Sequence, residues 1–186
     1  MGIYLVSVGA GQWLGDEEGD LGEVAAALDA ELKRRGLPAY EPAPGESFEE
    51  KLVPPMAGFD TLCRTHLSLE EYQMLSGWSA LVPILLDGPV RLPIENSYDD
   101  ETVIASAPRV LALAEHLAQA IGLPPDVPRA RHPLELTTWL LDGGAAKQAT
   151  ASPGPWGEDL DTAFYVVLYL RAAQHAIRHN CPLVFA

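Results

Sequence analysis

Between Ala163 and Leu170 the sequence runs without a polar break, opened by Glu158-Asp159-Leu160-Asp161 and followed by Arg171, His175, Arg178 and His179. Carboxylates at the start and bases at the end complement a helix macrodipole, and apolar residues all round the first half require burial on several sides. The spacing therefore predicts a long central helix from about residue 158 to 179. Pro153-Gly154-Pro155-Trp156-Gly157 punctuates the chain before it. Cys181-Pro182-Leu183-Val184-Phe185-Ala186 follows it as an apolar closing strand.

Other elements carry signals of their own. Ile3 to Val8, bounded by Gly2 and Gly9, reads as a buried strand. Asp20 and Glu23 have capping-box spacing at the start of a helix through Val24, Leu28 and Leu32, which Gly36 and Pro38 end. Residues 38–58 read as a long surface loop with one helical turn around Phe48 to Leu52, and Ser68 and Glu71 form a second capping box. Ala80 to Leu86 and Val90 to Ile94 flank Asp87-Gly88, which predicts a two-residue hairpin; Pro83 and Pro93 place at least one of its strands at a sheet edge or on a bulge. Thr102 to Ala105 reads as a short strand, and Ser106 as the cap of a helix that Gly122-Leu123-Pro124 stops. After a connector from Pro124 to Pro133, Leu134 to Leu141 reads as helical and Ala145 to Ala151 as a turn. The expectation is a single α+β domain over residues 1–186, with a mixed or antiparallel sheet packed against several helices and a long C-terminal helix followed by a C-terminal strand.

The formal net charge of −14 sets bounds on partners. Phosphate backbones and anionic membrane surfaces attract Lys and Arg, so nucleic acid and membranes are disfavoured, and no apolar run approaches the length of a bilayer span. An opening without a basic segment or a long apolar run points to a cytoplasmic protein, in which Cys63 and Cys181 are expected as free thiols.

Candidate chemistry gathers in a few places. His175 and His179, four apart on a helix, share one face in the geometry that chelates zinc; Cys181 and the Cys63-x-x-His66 pair would complete the ligand set, although Arg171 and Arg178 oppose a cation. Arg171, Gln174, His175 and Arg178 fall on one helical arc. That stripe either lines a pocket for an anionic group, with Arg171 forking to a carboxylate and His175 as acid or base, or forms a solvent face paired with surplus carboxylates, the commoner arrangement. In residues 95–101, Asp99 and Asp100 are adjacent carboxylates suited to sharing a proton or holding a hard cation, in a segment that also has the composition of an Asx-rich turn. Gly9-Ala10-Gly11 begins like a dinucleotide fingerprint, but Gly15 stands off its spacing and Asp16, Glu17, Glu18 and Asp20 repel phosphate. No cofactor is favoured. The leading expectation is a soluble, acidic, bacterial protein-binding module, an inhibitor- or immunity-type partner of a basic protein. The alternative is a small enzyme or ligand-binding protein with a pocket around Arg171, His175 and residues 95–101, metal-dependent if the zinc ligands assemble.

Overall fold

Residues 2–16 and 21–186 are described by the computed structural model of the chain. The first strand, β1 (Tyr4–Ser7), forms within the predicted β-branched run. Directly after Gly9 comes α1 (Ala10–Leu14), a short helix disguised by three glycines in seven residues, which buries Trp13. The next helix, α2 (Gly22–Arg34), has Leu21 at its N-cap; the expected cap, Asp20, lies outside the described residues. Gly36, at φ 73°, supplies the left-handed stop.

Between Phe48 and Leu52 the chain forms β2 (Glu49–Lys51) instead of the expected helical turn. It pairs antiparallel with β1, Tyr4 opposite Lys51 and Val6 opposite Glu49. Sheet pairing overrides a local propensity that was weak over so few residues. α3 (Ala57–His66) and α4 (Leu69–Ser76) follow, and α4 opens on the predicted capping box: Glu71 N–H donates to Ser68 Oγ while Ser68 N–H donates to the Glu71 carboxylate.

β3 (Ala80–Val82) and β4 (Val90–Leu92) do not form the expected hairpin, because β5 (Thr102–Ser106) lies between them. β5 runs parallel to β3 and antiparallel to β4. Every residue of β3 and β5 is buried, so each needs a neighbour on both sides; β4, with Arg91 exposed and Pro89 and Pro93 beside it, suits the edge. Ser106 pins the crossing segment, donating to the Ile84 carbonyl at 2.8 Å and accepting from Leu86 N–H at 3.3 Å. Its hydroxyl is thereby diverted from capping α5 (Ala107–Ala120), which begins on a first-turn proline.

α6 (Glu135–Leu141) and α7 (Gly144–Ala151) precede a 3-10 turn at Pro155–Glu158. α8 (Leu160–His179) then matches the predicted central helix, capped by Asp159, which accepts from Thr162 N–H at 3.0 Å. The last strand, β6 (Leu183–Phe185), lies between β1 and β3, antiparallel to both. The sheet is open and mixed, in the order β2-β1-β6-β3-β5-β4.

Strand alternation sends side chains to two cores. Leu81, Val103 and Ala105 join residues of α3, α5 and α8 in the larger one, and Ala80, Val82 and Ile104 meet Trp13 of α1 and Val24, Leu28 and Leu32 of α2 on the other face. Among the described residues, eight α-helices and six strands make an α+β fold, and no helix is long and apolar enough to cross a membrane.

Candidate functional site

The end of α8 is fixed by its C-cap. Asn180 adopts the left-handed conformation at φ 47°, and its N–H donates to the Ala176 carbonyl, a role its small polar side chain permits. The same residue ties down the segment that passes over it. Asn180 Nδ2 donates to the Glu41 carbonyl at 2.9 Å, and its own carbonyl accepts from Ala43 N–H at 2.9 Å and from the Tyr40 hydroxyl at 3.3 Å. The approach is close enough that a Cβ added at Gly45 would come within 3.3 Å of His179 Cβ. Part of the long loop expected over residues 38–58 is thus anchored backbone.

Against this end of α8 lies a cavity of about 260 Å³, whose lining includes Glu46, Arg129, Arg131, Arg171, His175 and Arg178. Four of the nine arginines of a chain with net charge −14 converge there. The other arginines include Arg34 and Arg35, bonded to Glu31, Arg91, bonded to Glu101, and Arg109, 3.7 Å from Asp87. Among the described residues none of the four around the cavity has a carboxylate within 4.0 Å. The ion-paired solvent face expected for the Arg171–Arg178 stripe is therefore not what forms: 26 carboxylates are present in the chain, and these guanidinium groups face a hollow.

Arg171 is held in place by uncharged acceptors. Its Nε donates to the Pro128 carbonyl at 2.8 Å, Nη2 to the Val127 carbonyl at 3.1 Å and Nη1 to Gln174 Oε1 at 2.8 Å. A guanidinium has five N–H donors, so these bonds orient the fork and leave two free. Burial, and next the charge of Arg129, pull the Arg171 pKa below its ordinary value, with Arg178 acting the same way. The group remains charged, so the cluster is a focus of positive potential, which Glu46 in the lining and Glu135, acting on Arg171, offset only in part. Ala130, buried between Arg129 and Arg131, sits at φ 52° in the left-handed region. A non-glycine residue held there is strained, and it lies between the two arginines that line the cavity.

His175 forms the floor. Its Nε2 lies 3.1 Å from the Glu46 carbonyl, and its ring is 5.2 Å from Phe48 and 4.4 Å from His179. A carbonyl only accepts, so Nε2 carries the proton and Nδ1 is left as an acceptor. Burial, then His179 and Arg178, hold the His175 pKa down at about 4 against the pull of the Glu46 carbonyl, so the ring is neutral near pH 7.

The proposed zinc ligands are not brought together. Among the described residues no three His, Cys, Asp or Glu side chains gather where they could hold a metal ion. Cys63 lies buried on α3, within the larger core, and His66 faces His116 at 6.3 Å between ring centres. His175 and His179 adjoin each other beside the arginines, while Cys181 is buried beyond the helix end. Burial pushes the Cys63 thiol up to about 12, with Asp60 adding to it, and Cys181 up to about 11, so both are neutral thiols instead of the thiolates a metal takes.

Residues 95–101 do not join the arginine cavity. Asp99 and Asp100 are exposed, in an Asx turn where Asn96 Oδ1 accepts from Tyr98 N–H at 2.9 Å and Asp99 N–H at 3.1 Å. The segment before them borders a separate, largely apolar cavity of about 420 Å³ that also includes Val8, Val24 and Ala80, on the α2 side of the sheet. The one pocket expected from Arg171, His175 and this loop is thus two places on opposite faces.

Glu46, Arg129, Ala130 and Arg131 escaped the sequence reading. One signal was legible: Arg129-Ala130-Arg131-His132 is a basic cluster between prolines in a strongly acidic chain. Comparison with protein-family models, curated proteins and solved structures finds no match.

Proposed function

We propose that this chain binds a small anionic ligand in the arginine-lined cavity. One observation carries the reading: four guanidinium groups from α8 and residues 129–131 converge on a 260 Å³ hollow and lack a carboxylate partner among the described residues. Grouping like charges without a counterion is unfavourable in the empty protein and becomes favourable when an anion enters, because charge-assisted bonds then form at donors already oriented. Arg171 is the fixed fork, Arg129, Arg131 and Arg178 form the rim, and neutral His175 offers an acceptor at Nδ1 or, once protonated, a donor. That same nitrogen is one group in the cavity suited to proton transfer should a bound molecule react, beside His179 and Glu46.

Calorimetric titration of the protein with acetate, succinate and orthophosphate tests the reading. At least one should bind with a 1:1 stoichiometry, and Arg178→Glu, which places a carboxylate on the exposed rim, should abolish binding with the circular dichroism spectrum unchanged. Silence from all three, or binding indifferent to Arg178→Glu, refutes it. The association with a basic protein is supported by the net charge of −14, which would steer encounter with a positive patch; such association must weaken with added salt over the range in which the Debye length shrinks.

A further inference from the structure

Resting on the anion-binding reading, we infer that the occupant is a compact molecule bearing a tetrahedral dianion, a phosphoryl group above all, and that the cavity takes it as one concentrated charge. The count of charges comes first. Four arginines against Glu46 in the lining and Glu135, whose carboxylate accepts from Arg131 N–H, leave an excess of two charges that a single carboxylate ligand cannot offset. A dicarboxylate has the charge but divides it between two ends. Here the positive charges act on one another across a short distance: Arg129 and Arg178, from different segments, both bear on Arg171. One dianionic centre answers that convergence better than two separated monoanions.

The donors point the same way. Beyond its three bonds to Pro128, Val127 and Gln174, Arg171 has two free N–H groups, and the side chains of Arg129, Arg131 and Arg178 make no hydrogen bond among the described residues. Guanidinium forks meet phosphate oxygens bidentately, and a phosphoryl group offers three such oxygens to forks arriving from two sides, where a carboxylate offers two in one plane. With Nε2 on the Glu46 carbonyl, Nδ1 of His175, a residue of the lining, is left free to accept from a hydroxyl, as on a singly protonated phosphate or the organic part of a monoester.

Size bounds the rest of the molecule. A cavity of about 260 Å³ lies at the small end of the range that holds small-molecule ligands. Among the described residues the aromatic rings in the lining are the imidazoles of His175 and His179, and Phe48 packs against the first of them. A phosphorylated polyol or acid of a few carbons fits, whereas a nucleotide would leave its base outside.

The test is calorimetric titration at pH 8 and low salt with orthophosphate, sulfate, glycerol 3-phosphate, succinate and acetate. The tetrahedral dianions should bind about tenfold or more tighter than succinate, with acetate weakest. Glycerol 3-phosphate about tenfold tighter than orthophosphate identifies an organic phosphate; parity identifies inorganic phosphate, and either supports the inference. The double variant Arg129→Ala/Arg131→Ala removes exposed side chains only and should lose about 100-fold in affinity for the dianions with an unchanged spectrum. Succinate binding as tightly as the phosphates overturns the inference while leaving the anion-binding reading standing. Binding of no anion removes both. Dianion binding that persists in the double variant places the ion elsewhere and also overturns the inference.

Discussion

Glu50 and the arginine cavity, to whose lining Glu46 of the same stretch of chain belongs, show opposite ways of placing charge in a fold. Glu50, fully buried on β2, accepts at Oε1 from Leu136 N–H at 2.8 Å and at Oε2 from Thr137 N–H at 2.9 Å and the Thr137 hydroxyl at 2.8 Å. It thereby serves the first turn of α6, whose own N-cap position, Leu134, makes no side-chain bond. Every contact is internal. Around Arg171 only part of the donor capacity is used, and the remainder faces a hollow. A buried carboxylate with all its partners supplied by the fold is structural; a cluster with donors left over is the one we propose to hold an anion. The contrast can be broken by showing that Glu50 matters to the ligand or that the arginines matter to the fold.

The largest effect is expected from Glu50→Ala. Three donors at the start of α6 would be stranded in the interior, and removing one side of such an arrangement costs roughly 3–5 kcal/mol. Urea unfolding should register that loss, while anion affinity per folded molecule stays within a factor of about two. Glu50→Gln should lose less, about 2 kcal/mol, because the amide still accepts at one end but turns a donor toward donors. A variant as stable as the parent would remove Glu50 from its structural role.

Next in size is the pH dependence, in which the two places differ in sign. Burial outweighs three hydrogen bonds at Glu50 and raises its pKa above the ordinary 4.5. The folded state holds that proton more tightly than the unfolded one, so this contribution to stability is present below pH 4.5 and is lost as pH rises through the raised value. His175 does the reverse. Its pKa is lowered from 6.5 to about 4, so its contribution is present above pH 6.5 and lost as pH falls toward 4. The loss corresponds to about 3 kcal/mol. His175→Gln keeps a donor for the Glu46 carbonyl and does not titrate, so the stability difference between parent and variant should vary by about that amount between pH 7 and pH 4. A flat difference would mean that His175 is not desolvated. Saturating dianion should shift the parent's dependence to higher pH, because the bound charge offsets the cations holding His175 neutral.

Much of this contrast could not be read from sequence. The arc of Arg171, Gln174, His175 and Arg178 was legible because helical periodicity alone puts those residues on one face. The far wall was not, because residues 125–131 form an irregular connector whose position depends on bonds from Arg171 to Val127 and Pro128. α8, the capping box at Ser68 and the stops at Gly36 and Gly122 were legible as local chemistry. The hairpin failed because Asp87-Gly88 describes a turn and says nothing of β5, whose five buried residues win the inner place beside β3. Glu50 was likewise hidden: one more glutamate in an acidic loop until sheet pairing buries it.

Third is Arg171→Met, which keeps the buried stem and deletes the fork. Two backbone carbonyls, one of them on buried Val127, lose their donor, so stability should fall by about 1–3 kcal/mol, less than for Glu50→Ala. Anion affinity should fall about 100-fold, since an oriented charge-assisted pair is lost. A stability loss matching that of Glu50→Ala, with affinity unchanged, would erase the distinction between the two places.

The smallest expected effect sharpens the comparison most. Ala130 is held at φ 52°, a conformation that costs an alanine roughly 1–2 kcal/mol and a glycine almost nothing. Ala130→Gly relieves that strain but frees the unfolded chain, which returns roughly 0.4–1 kcal/mol, so a net stabilisation of about 1 kcal/mol or less is expected. If the strain exists only to close the connector, anion affinity will follow stability or stay level. If it aims Arg129 and Arg131 into the cavity, the same substitution will stabilise the fold and weaken dianion binding by about two- to threefold. A gain in stability paired with a loss in affinity is the outcome expected from the anion-binding reading, because relaxing residue 130 loosens the backbone that carries Arg129 and Arg131.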